Sequence, residues 1–447
     1  MNQSDTIAAI ATASGVGGVG IIRISGDKAL DICKKLSNKS PKPRQATFTK
    51  LFHKKELIDE GILLYFPNPH SFTGEDVVEL QVHGGPVILN MLLQAVIQSG
   101  ARQAQAGEYS QRAFLNDKID LVQAEAIADL INSSTEQAAK AAQRSLQGAF
   151  SDKVSTILQQ LIALRVWIEA AIDFPEEEID FLADKQQQNK MQDLHKSLKD
   201  LLAQAQQGEL LNKGVMIGIV GQPNVGKSSI LNLFTRNQTA IVSDVAGTTR
   251  DIIKENINIQ GVPVLIIDTA GIHITNDKVE QEGIKRAKVI LQQADIILEI
   301  IDSSKDIQQQ ISNLADLPFN RRKIIVYNKS DIGKTTDITT EKLNNNEISL
   351  SAITGEGFEQ LENKIISMIS SQHDIESSFS ARARHITQLQ KTLESISIAE
   401  DNFINNQAGE LVAEDLRQAQ VSLSQITGDF SSDDLLGEIF SSFCIGK

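Results

Sequence analysis

The sequence predicts a multidomain protein in which an α/β P-loop domain is inserted into an all-α helical domain, with an α+β domain preceding both. Three observations predict this class. The chain has 447 residues, which is too many for a single hydrophobic core. Its texture changes from short β-like runs to Ala-, Gln- and Leu-rich helix, and a later α/β stretch interrupts that helix. A glycine-rich phosphate-binding motif also lies between a strand-like and a helix-like run.

The first domain is expected to span residues 1–118. Short β-like runs alternate with turns there, namely TIAAIAT, VGIIRIS, GILLYFP and VVELQVHG. One helix-like run, PVILNMLLQAVIQ, follows them. A mixture of this kind predicts a compact α+β domain.

The helical domain is expected to consist of two separated segments, residues 119–212 and 373–447. In the first segment, apolar residues recur at steps of four, three, four and four, which marks one face of a long helix. They are Ile157, Leu161, Leu164, Ile168 and Ile172. Between the two segments, residues 213–372 alternate strand-like and helix-like runs, and this rhythm predicts a mostly parallel sheet covered by helices. The α/β domain is therefore expected to be an insertion, which a host domain tolerates where its chain ends lie close together.

Composition narrows the class of protein. The formal net charge of −14 argues against broad adhesion to nucleic acid or to an anionic membrane, so an RNA partner would need a basic partner or a local basic patch. The two cysteines, Cys33 and Cys444, fit a reducing compartment. We find no signal-peptide pattern, and no uninterrupted apolar run approaches the roughly 20 residues that span a bilayer. We expect a cytoplasmic protein that does not enter a membrane.

The phosphate-binding motif is GQPNVGKSS, Gly221–Ser229. Its glycines, Gly221 and Gly226, let backbone N–H groups wrap phosphates at the positive end of the following helix. Lys227 is expected to reach the β- and γ-phosphates, and the Ser228 hydroxyl to ligate Mg²⁺.

Residues that sense Mg²⁺ and the γ-phosphate follow in the required order. Thr249, in the run GTTRD, is the expected second protein ligand to Mg²⁺. Asp268 ends a strand-like run, where it is placed to hold a magnesium-bound water. The Gly271 N–H, in the same DTAG run, is placed to sense the γ-phosphate.

The base contacts come last. Asp331, in NKSD, would accept hydrogen bonds from the N1–H and 2-amino groups of guanine, which adenine lacks at those positions. Asn328 and Lys329 are expected to brace the base and the P-loop. In the loop SAITGEG, which begins at Ser351, the Ala352 N–H is expected to face guanine O6. Five elements in this order predict a GTP-binding site.

One position departs from the pattern of signalling GTPases. In those proteins a glutamine after the DTAG-type glycine orients the attacking water. Here that position is Ile272, whose side chain cannot hold a water. Either the chain does not hydrolyse GTP or it does so by another route.

A second glycine-rich run, GVGGVG at residues 15–20, fits the pattern of a dinucleotide-binding loop. Such a loop must open a helix. Here the glycines lead into the β-branched run IIRIS, so we interpret them as a glycine-rich hairpin or loop.

Four further runs carry a resemblance: GVGGVGIIRISG, GEDVVELQVHGGP, LNDKIDLVQAEAIADLI and the terminal DDLLGEIFSSFCIGK. Together with the GTPase elements, the chain closely resembles the bacterial tRNA-modification GTPases (MnmE, also called TrmE) over essentially its full length. The resemblance implies a homodimer formed through the N-terminal domain, and a FAD-containing partner subunit in a heterotetramer or larger complex. It implies synthesis of the 5-carboxymethylaminomethyl group on the wobble uridine of certain tRNAs.

The resemblance also implies that the N-terminal domain binds folate, as a 5-formyl- or 5,10-methylene-tetrahydrofolate. The matching folate contacts are Arg23, Glu79, Lys118 and the terminal Lys447. A carboxylate suits pterin N–H donors, and cations suit the carboxylates of the glutamate tail. Taken from sequence alone, Glu79 and Lys118 are more simply an ordinary ion pair. Cys444 matches the family's near-terminal cysteine, which is a possible modification-centre thiol, although a half-buried packing cysteine fits equally well.

The resemblance supplies another route for hydrolysis. Family members are stimulated by K⁺, which lies between the phosphates as an arginine finger would and stabilises the developing charge. The matching K⁺ ligands are the Asn224 side chain, the carbonyls of Ser243 and Val245, and Thr248.

Glu280 matches the family's catalytic glutamate, which handles water in place of the missing glutamine. The expected catalytic residues are then Glu280, Lys227 and Thr249. Glu282 is an alternative two residues on, but the spacing from Asp268 favours Glu280.

The full set of expected GTP contacts spans all five motifs. It comprises Gly221, Asn224, Val225, Gly226, Lys227, Ser228, Ser229, Ser243, Asp244, Val245, Ala246, Gly247, Thr248, Thr249, Asp268, Thr269, Ala270, Gly271, Asn328, Lys329, Asp331, Ser351 and Ala352.

Two alternatives stay open at this point. A GTP-regulated RNA-binding or ribosome-assembly switch would share the GTPase motifs but would need a basic appendage. Residues 373–447 carry twelve Asp and Glu against five Lys and Arg, which counts against it. A purely structural dimerising switch differs from the leading hypothesis in lacking folate binding.

Overall fold

The computed structural model describes residues 5–173, 185–237, 253–268, 293–314, 322–332, 344–369, 378–406, 408–429 and 433–446. The chain forms two compact units. The first combines Met1–Ala128 with Gln420–Lys447, and the second is Asp129–Ala419.

The first unit is built around a six-stranded sheet. Its strands are β1 (Ile7–Ile10), β2 (Gly17–Ser25), β3 (Thr47–His53), β4 (Glu56–Phe66), β5 (Val77–Gly84) and β6 (Arg102–Gln103). The helices are α1 (Ala29–Ser37), α2 (Pro86–Gln98) and α3 (Glu108–Leu115). The strand order is β3-β4-β5-β2-β1-β6, in which β1 and β6 are parallel and the other pairs are antiparallel.

This sheet confirms the predicted α+β architecture and the interpretation of the glycine run. β2 begins at Gly17, so the glycines lead into a strand and not into a helix. Sequence reasoning did not name α1, although its buried Ala29, Ile32, Cys33 and Leu36 follow a helical repeat. α1 and α2 pack on the sheet, and their apolar faces form one core with it.

Four helices follow along the chain: α4 (Leu121–Asn132), α5 (Glu136–Leu146), α6 (Ala149–Asp173) and α7 (Lys185–Lys213). In α6 the predicted apolar stripe is buried at Ile157, Leu161, Leu164 and Ile168, and α6 packs against α7. Because the apolar residues recur with the helical period, a helix can bury all of them on one face, which a strand could not do.

α6 is the one helix, within the described ranges, whose length and mean hydropathy would suffice to cross a membrane. Core helices of globular proteins pass the same test. Arg165 and Glu169, which form an ion pair of 3.4 Å, interrupt its apolar sequence.

The second unit contains the other sheet. Its strands are β7 (Val215–Gly221), β8 (Ile253–Ile259), β9 (Val262–Asp268), β10 (Ile296–Asp302), β11 (Arg322–Asn328) and β12 (Glu347–Ser349). Its helices are α8 (Lys227–Asn237), α9 (Ile307–Leu314) and α10 (Phe358–Ile369). The order is β12-β11-β10-β7-β9-β8, and the pairs are parallel except for the hairpin of β8 and β9. The predicted mostly parallel sheet is confirmed, and it lies between two helical segments of the chain.

The chain returns to helix after this sheet. The helices are α11 (Ala383–Asp401), a π-helical turn (Asn402–Asn406), α12 (Gly409–Thr427) and α13 (Asp433–Ser441). α11 packs against α7. α13 belongs to the first unit, where Phe440 and Phe443 form a small core with Leu121 and Ala124 of α4. The chain after α13 pairs with the N-terminal part through a bridge between Ala106 and Ile445.

Candidate nucleotide-binding site

The second sheet brings the carboxyl ends of its five parallel strands to one edge. β9 and β8 lie on one side of β7, and β10, β11 and β12 lie on the other. The direction in which the sheet grows therefore reverses beside β7. In open α/β sheets such a switch point leaves a crevice at the carboxyl ends of the strands, where ligands bind. The phosphate-binding motif follows β7 directly into this crevice.

The P-loop runs from the end of β7 to the start of α8. A Cβ at Gly221 would lie 2.6 Å from the carbonyl oxygen of Ile300 on neighbouring β10, so the close strand pairing there requires glycine. Gly226 has a φ of +101°, a left-handed conformation that favours glycine. Lys227 Nζ donates to the carbonyl oxygens of Gly221 and Gln222 at 2.7 and 2.9 Å, which folds its ammonium group over the loop. The predicted strand–loop–helix context is therefore present.

Asn328, at the carboxyl end of β11, holds two loops together. Its Nδ2 donates to the Val225 carbonyl oxygen at 2.8 Å, and its Oδ1 accepts from the Ala352 N–H at 3.0 Å. The side chain is buried, with 1% of its surface exposed. The predicted bracing of the P-loop by Asn328 matches this contact. The Ala352 N–H, predicted to face guanine O6, points to Asn328 in this structure.

Lys329 bridges the P-loop and the end of β10. Its Nζ donates to the Asn224 carbonyl oxygen at 2.9 Å and to Asp302 Oδ2 at 2.6 Å. Asp302 is fully buried. Burial opposes ionisation of this carboxyl, but hydrogen bonds from Lys329 and Ser304 outweigh it and hold the pKa of Asp302 below its usual value. The lysine ammonium is thereby fixed at one position beside the P-loop.

Asp331 and the loop that follows β12 are joined as predicted. The Ser351 hydroxyl donates to Asp331 Oδ1 at 2.7 Å and accepts from the Thr354 N–H at 3.2 Å. Ser351 is buried, whereas Asp331 is exposed at the crevice. The hydroxyl therefore orients a carboxylate that stays accessible to a ligand.

Of the other predicted GTP contacts, some lie among the described residues and the rest lie outside them. Val225 is buried under the loop, while Ser228 and Ser229 lie exposed in the first turn of α8. Asp268 ends β9 at the same edge of the sheet as the P-loop, paired with Ile219 of β7. The remainder lie outside the described residues: Ser243, Asp244, Val245, Ala246, Gly247, Thr248, Thr249, Thr269, Ala270, Gly271, Ile272, Glu280 and Glu282.

The residues predicted to contact folate lie in the N-terminal unit and not at the nucleotide crevice. Arg23 of β2 and Glu79 of β5 are register partners on adjacent strands. Arg23 Nε and Nη2 both donate to Glu79 Oε1, at 3.0 and 2.9 Å. Arg23 Nη1 also donates to the Gly446 carbonyl oxygen at 3.4 Å. The structure thus brings the C-terminal residues to the predicted Arg23–Glu79 pair. Lys447 itself lies outside the described residues.

Lys118 lies elsewhere on this unit. It is exposed at a cavity of about 520 Å³. Within the described part of the chain, its side chain makes no hydrogen bond to Arg23 or Glu79. A Cβ at Gly74 would lie 3.0 Å from Lys118 Cε, so the lysine packs along the loop that precedes β5. Glu79 thus does form an ordinary ion pair, but its partner is Arg23 and not Lys118.

The two cysteines differ in environment. Cys33 is buried in α1, and burial raises the pKa of its thiol to about 11. Cys444 is exposed, and its carbonyl oxygen accepts from the Gly107 N–H at 3.3 Å. The interpretation of Cys444 as a half-buried packing residue is wrong, because its neighbour Phe443 fills the core instead.

Sequence reasoning missed two sets of residues. Asp302 is one, although a carboxylate at the carboxyl end of an apolar strand is a recognisable signal. The other is a charged network in the N-terminal unit, where Arg112 contacts Glu108, Asp5 and Glu75 at 2.8–3.0 Å. Local patterns could indicate only its Glu108–Arg112 pair, which lies on one helix, because Asp5 and Glu75 come from two other parts of the chain.

A parallel sheet with a P-loop after its first strand, and an Asn-Lys-x-Asp sequence after a later strand, defines the class of P-loop GTPases. Two family models match the chain: one described as the GTP-binding protein TrmE N-terminus, over residues 6–118, and one described as the MnmE helical domain, over residues 121–444. The chain belongs to the MnmE family of tRNA modification GTPases.

Individual relatives agree with this assignment. A protein of Coxiella burnetii named tRNA modification GTPase MnmE is 51% identical over 448 residues, which cover 99% of both chains. The protein of that name from Saccharophagus degradans is 51% identical over 451 residues, again 99% of both chains. The one from Hydrogenovibrio crunogenus is 49% identical over 100% of this chain and 99% of its own. The protein is thus a GTPase that acts in tRNA modification, and GTP is its substrate.

Proposed function

We propose that the chain couples K⁺-stimulated GTP hydrolysis to synthesis of the 5-carboxymethylaminomethyl group on the wobble uridine of certain tRNAs. The one-carbon unit comes from a tetrahydrofolate, and a FAD-containing subunit is the partner. The proposed domains are residues 1–118 for folate binding and dimerisation, 119–212 and 373–447 for the helical domain, and 213–372 for the GTPase domain. The proposed location is the cytoplasm.

The observation that carries the nucleotide part is the convergence of the described motif residues on one crevice. Lys227, Asn328 and Lys329 each contact the P-loop, and Ser351 orients Asp331. In this arrangement Lys227 neutralises phosphate charge, and Asp331 selects guanine because an adenine would leave its carboxylate unpaired.

Mg²⁺ fits the same crevice. The Ser228 hydroxyl lies exposed in the first turn of α8, and the strand that ends in Asp268 lies next to β7. A hydroxyl beside phosphates, with a carboxylate in outer contact, is a suitable oxygen environment for this hard cation. Ser228 and Thr249 are the proposed protein ligands. When bound, Mg²⁺ would offset the charge that develops on the phosphates.

K⁺ and Glu280 are proposed to replace the glutamine that Ile272 excludes. Asn224 has a φ of +62°, and its carbonyl oxygen is tied to Lys329, so this residue is held in one position at the P-loop. Its side chain is the described member of the proposed K⁺ ligands, with Ser243, Val245 and Thr248 as the others.

The proposed role of K⁺ predicts that GTP turnover is at least tenfold faster in K⁺ buffer than in Na⁺ buffer at equal ionic strength. Glu280→Ala is expected to lower turnover about a hundredfold, while GTP affinity changes by less than about threefold. Glu282→Ala is the matched control and should retain turnover. Equal rates in the two salts would refute the cation role, and an active Glu280→Ala protein would refute the glutamate role.

Folate is proposed to bind at Arg23 and Glu79, with Lys118 and Lys447 as further contacts, and the exposed thiol of Cys444 is proposed to act near the modification chemistry. Arg23 donates two hydrogen bonds to one carboxylate oxygen of Glu79. The side chain of Arg23 is 25% exposed and that of Glu79 is 14% exposed. The second carboxylate oxygen suits pterin N–H donors. When bound, the folate supplies the one-carbon unit.

We expect saturable binding of 5-formyl-tetrahydrofolate, measured by titration calorimetry. Glu79→Gln should weaken it at least tenfold because it removes the charged acceptor and the partner of Arg23. Glu56→Gln, an exposed change on β4, is the control. Identical affinities for the two variants would remove Glu79 from the site.

The partners of the proposed complex are a second copy of this chain and the FAD-containing subunit. Large apolar side chains lie exposed on the N-terminal unit, among them Val16, Val19, Leu57, Val87 and Met91. Exposed apolar surface of this kind suits a protein–protein contact, which supports dimerisation through this unit.

The whole proposal is tested in cells that lack this protein. Mass spectrometry of their tRNA should show wobble uridines without the carboxymethylaminomethyl group. The wild-type gene should restore the group, and the gene with Asp331→Ala should not. Normal wobble uridines in the deletion strain would contradict the proposed function.

A further inference from the structure

A dense basic stretch stands out in this acidic chain. Residues 32–55 contain eight basic residues and no Asp or Glu, whereas the whole chain has 43 Lys and Arg against 57 Asp and Glu. All eight side chains are exposed: Lys34, Lys35, Lys39, Lys42, Arg44, Lys50, Lys54 and Lys55. We refer to these eight residues as the β3 basic edge.

The fold gathers the basic edge along one border of the N-terminal sheet. β3 is the outermost strand and pairs with β4 alone. α1 packs against β3, and Lys39 Nζ donates to the carbonyl oxygen of Phe48 in β3 at 2.7 Å. Lys54 and Lys55 form the turn that follows β3. The basic side chains therefore lie along one border of the sheet. They come from the end of α1, the connection to β3, β3 itself and the turn after it.

These charges are largely uncompensated. Lys34 pairs with Asp31 at 3.7 Å, but both side chains are solvent-exposed, so screening makes this pair weak. As far as the described residues go, no ion pair involves Lys35, Lys42, Lys50, Lys54 or Lys55. On the inner side, Glu60 of β4 lies opposite Lys50 in the register. This carboxylate partly offsets Lys50, so the excess positive charge lies mainly at the end of α1, on the connection to β3 and in the turn after β3.

Protection of an edge strand is the ordinary explanation for such lysines. A lysine on an edge strand discourages pairing with another chain. That explanation accounts for Lys50, which lies within β3. It does not account for the seven other basic residues, which lie outside the strand, or for the complete lack of acidic residues over this length.

An aromatic side chain accompanies the charges. Phe48, two residues from Lys50 on β3, is 62% exposed. Lysines that follow a phosphate backbone, together with an aromatic ring that stacks on a base, are the features by which proteins hold unpaired nucleic acid. An anionic membrane would instead favour an amphipathic helix with a broad apolar face, and this border is a strand with a single exposed aromatic ring.

We propose that the β3 basic edge binds the phosphate backbone of tRNA, with Phe48 stacking on an unpaired base. The inference rests on the tRNA substrate of the proposed function and not on its folate or K⁺ chemistry. It explains how a chain of net charge −14 holds a polyanion, because attraction depends on the local surface and is screened beyond about 10 Å.

The test is the affinity of the full-length protein for a fluorescent transcript of a tRNA with uridine at the wobble position. The patch variant is Lys50→Gln, Lys54→Gln and Lys55→Gln together. The control variant is Lys190→Gln, Lys196→Gln and Lys199→Gln, which removes the same charge from exposed positions of α7. The patch variant should bind at least about tenfold more weakly near 0.1 M salt, and its plot of log affinity against log salt should be shallower by about 2 to 3.

The control should stay within twofold of wild type. Phe48→Ala should bind at least about fivefold more weakly with an unchanged salt slope, because it removes stacking and not charge. GTP turnover without RNA and the melting temperatures of both units should be the same in all these variants, which verifies that they fold.

Three outcomes would overturn the inference. Equal affinity and slope for the patch and control variants would place tRNA binding elsewhere, and the proposed function would stand. If the wild-type protein did not bind the transcript, the proposed tRNA-binding role of the β3 basic edge would be refuted. The wobble-uridine measurement in cells tests the proposed function separately. Binding to phosphatidylglycerol vesicles that the patch variant loses, with tRNA affinity unchanged, would assign the edge to a membrane.

Discussion

At the scale of single residues, Asp302 is the side chain on which the order of the nucleotide crevice depends. Its Oδ2 accepts from Lys329, and its Oδ1 accepts from the Ser304 N–H and hydroxyl at 3.0 and 2.6 Å. Its own N–H donates to Gln310 Oε1 at 2.9 Å. Since both carboxylate oxygens are bonded and the group is buried, Asp302 acts as a positioning residue for Lys329.

Asp302→Asn should weaken GTP binding about tenfold, because the amide cannot accept from both Lys329 and Ser304. Turnover at saturating GTP should change by less than about threefold, since Lys329 does not touch the reacting phosphate in the proposed site. Asp306→Asn, the same change on an exposed residue nearby, is the control. The measurement is equilibrium titration with a fluorescent GTP analogue alongside steady-state kinetics. A loss of kcat with unchanged affinity would contradict the positioning role.

The same variant has a predicted pH signature. The pKa of Asp302 is lower in the folded protein than its usual value, so the unfolded chain takes up the proton at higher pH. Its contribution to stability is therefore complete above about pH 4 and disappears as the pH falls through the lower folded pKa. We expect the difference in unfolding free energy between wild type and Asp302→Asn to shrink below about pH 4, as measured by urea denaturation. A difference that grows in acid would contradict this assignment.

At the scale of elements, the contact between α5 and the β8–β9 hairpin joins the helices to the GTPase sheet. Thr135 is the N-cap of α5, and its hydroxyl oxygen accepts from the Ala138 N–H at 3.1 Å. The same hydroxyl donates to the Gly261 carbonyl oxygen at 2.9 Å, in the turn of the hairpin. A Cβ at Gly261 would lie 2.5 Å from Gln137 Cγ, so the turn packs closely on the helix.

Substitutions at Thr135 separate the cap from the bond to the hairpin. Thr135→Val removes both and should lower the free energy of unfolding by about 2 kcal/mol. Thr135→Ser retains both and should cost less than about 0.5 kcal/mol. Thr135→Asp retains the cap acceptor but cannot donate when ionised, so it should fall between them. Chemical denaturation measures the series, and equal stability of the Val and Ser variants would show that neither bond matters.

At the scale of the whole molecule, each unit has a hydrophobic core formed by its own described residues. In the first unit, Phe440 lies 6.4 Å from the Phe114 ring and 5.4 Å from the Phe443 ring, measured between centroids. In the second, Phe234 of α8 is fully buried, 4.9 Å from Phe358. Because each of these phenylalanines packs on rings of its own unit, it should stabilise mainly that unit.

Phe440→Ala and Phe234→Ala should each cost about 3 kcal/mol or more, through lost burial and a residual cavity. Calorimetry should show that Phe440→Ala lowers the melting temperature of one transition and Phe234→Ala that of the other. Folate should raise the first transition and GTP the second, which identifies them. If both variants lowered the same transition equally, the chain would unfold as one cooperative body.

Sequence reasoning identified the elements that have strong local patterns. β7 followed by the P-loop, the helix α6 with its buried stripe, and the strand β2 after the glycine run were all predicted. β6 was missed because two residues carry no periodic signal, and the edge strands β3 and β8 were missed because polar residues interrupt their apolar runs. The order of the nucleotide motifs was predictable because each motif is a short run whose chemistry does not depend on distant neighbours.

The sequence by itself determined the family, the fold class and the residue types at the nucleotide crevice. Only the tertiary structure decided which distant residues meet, such as Arg23 with Gly446, Lys329 with Asp302 and Thr135 with Gly261. It also decided that the basic stretch of residues 32–55 follows one border of a sheet. The physical reason is that local patterns specify elements, whereas strand order, register and packing specify which side chains lie within bonding distance.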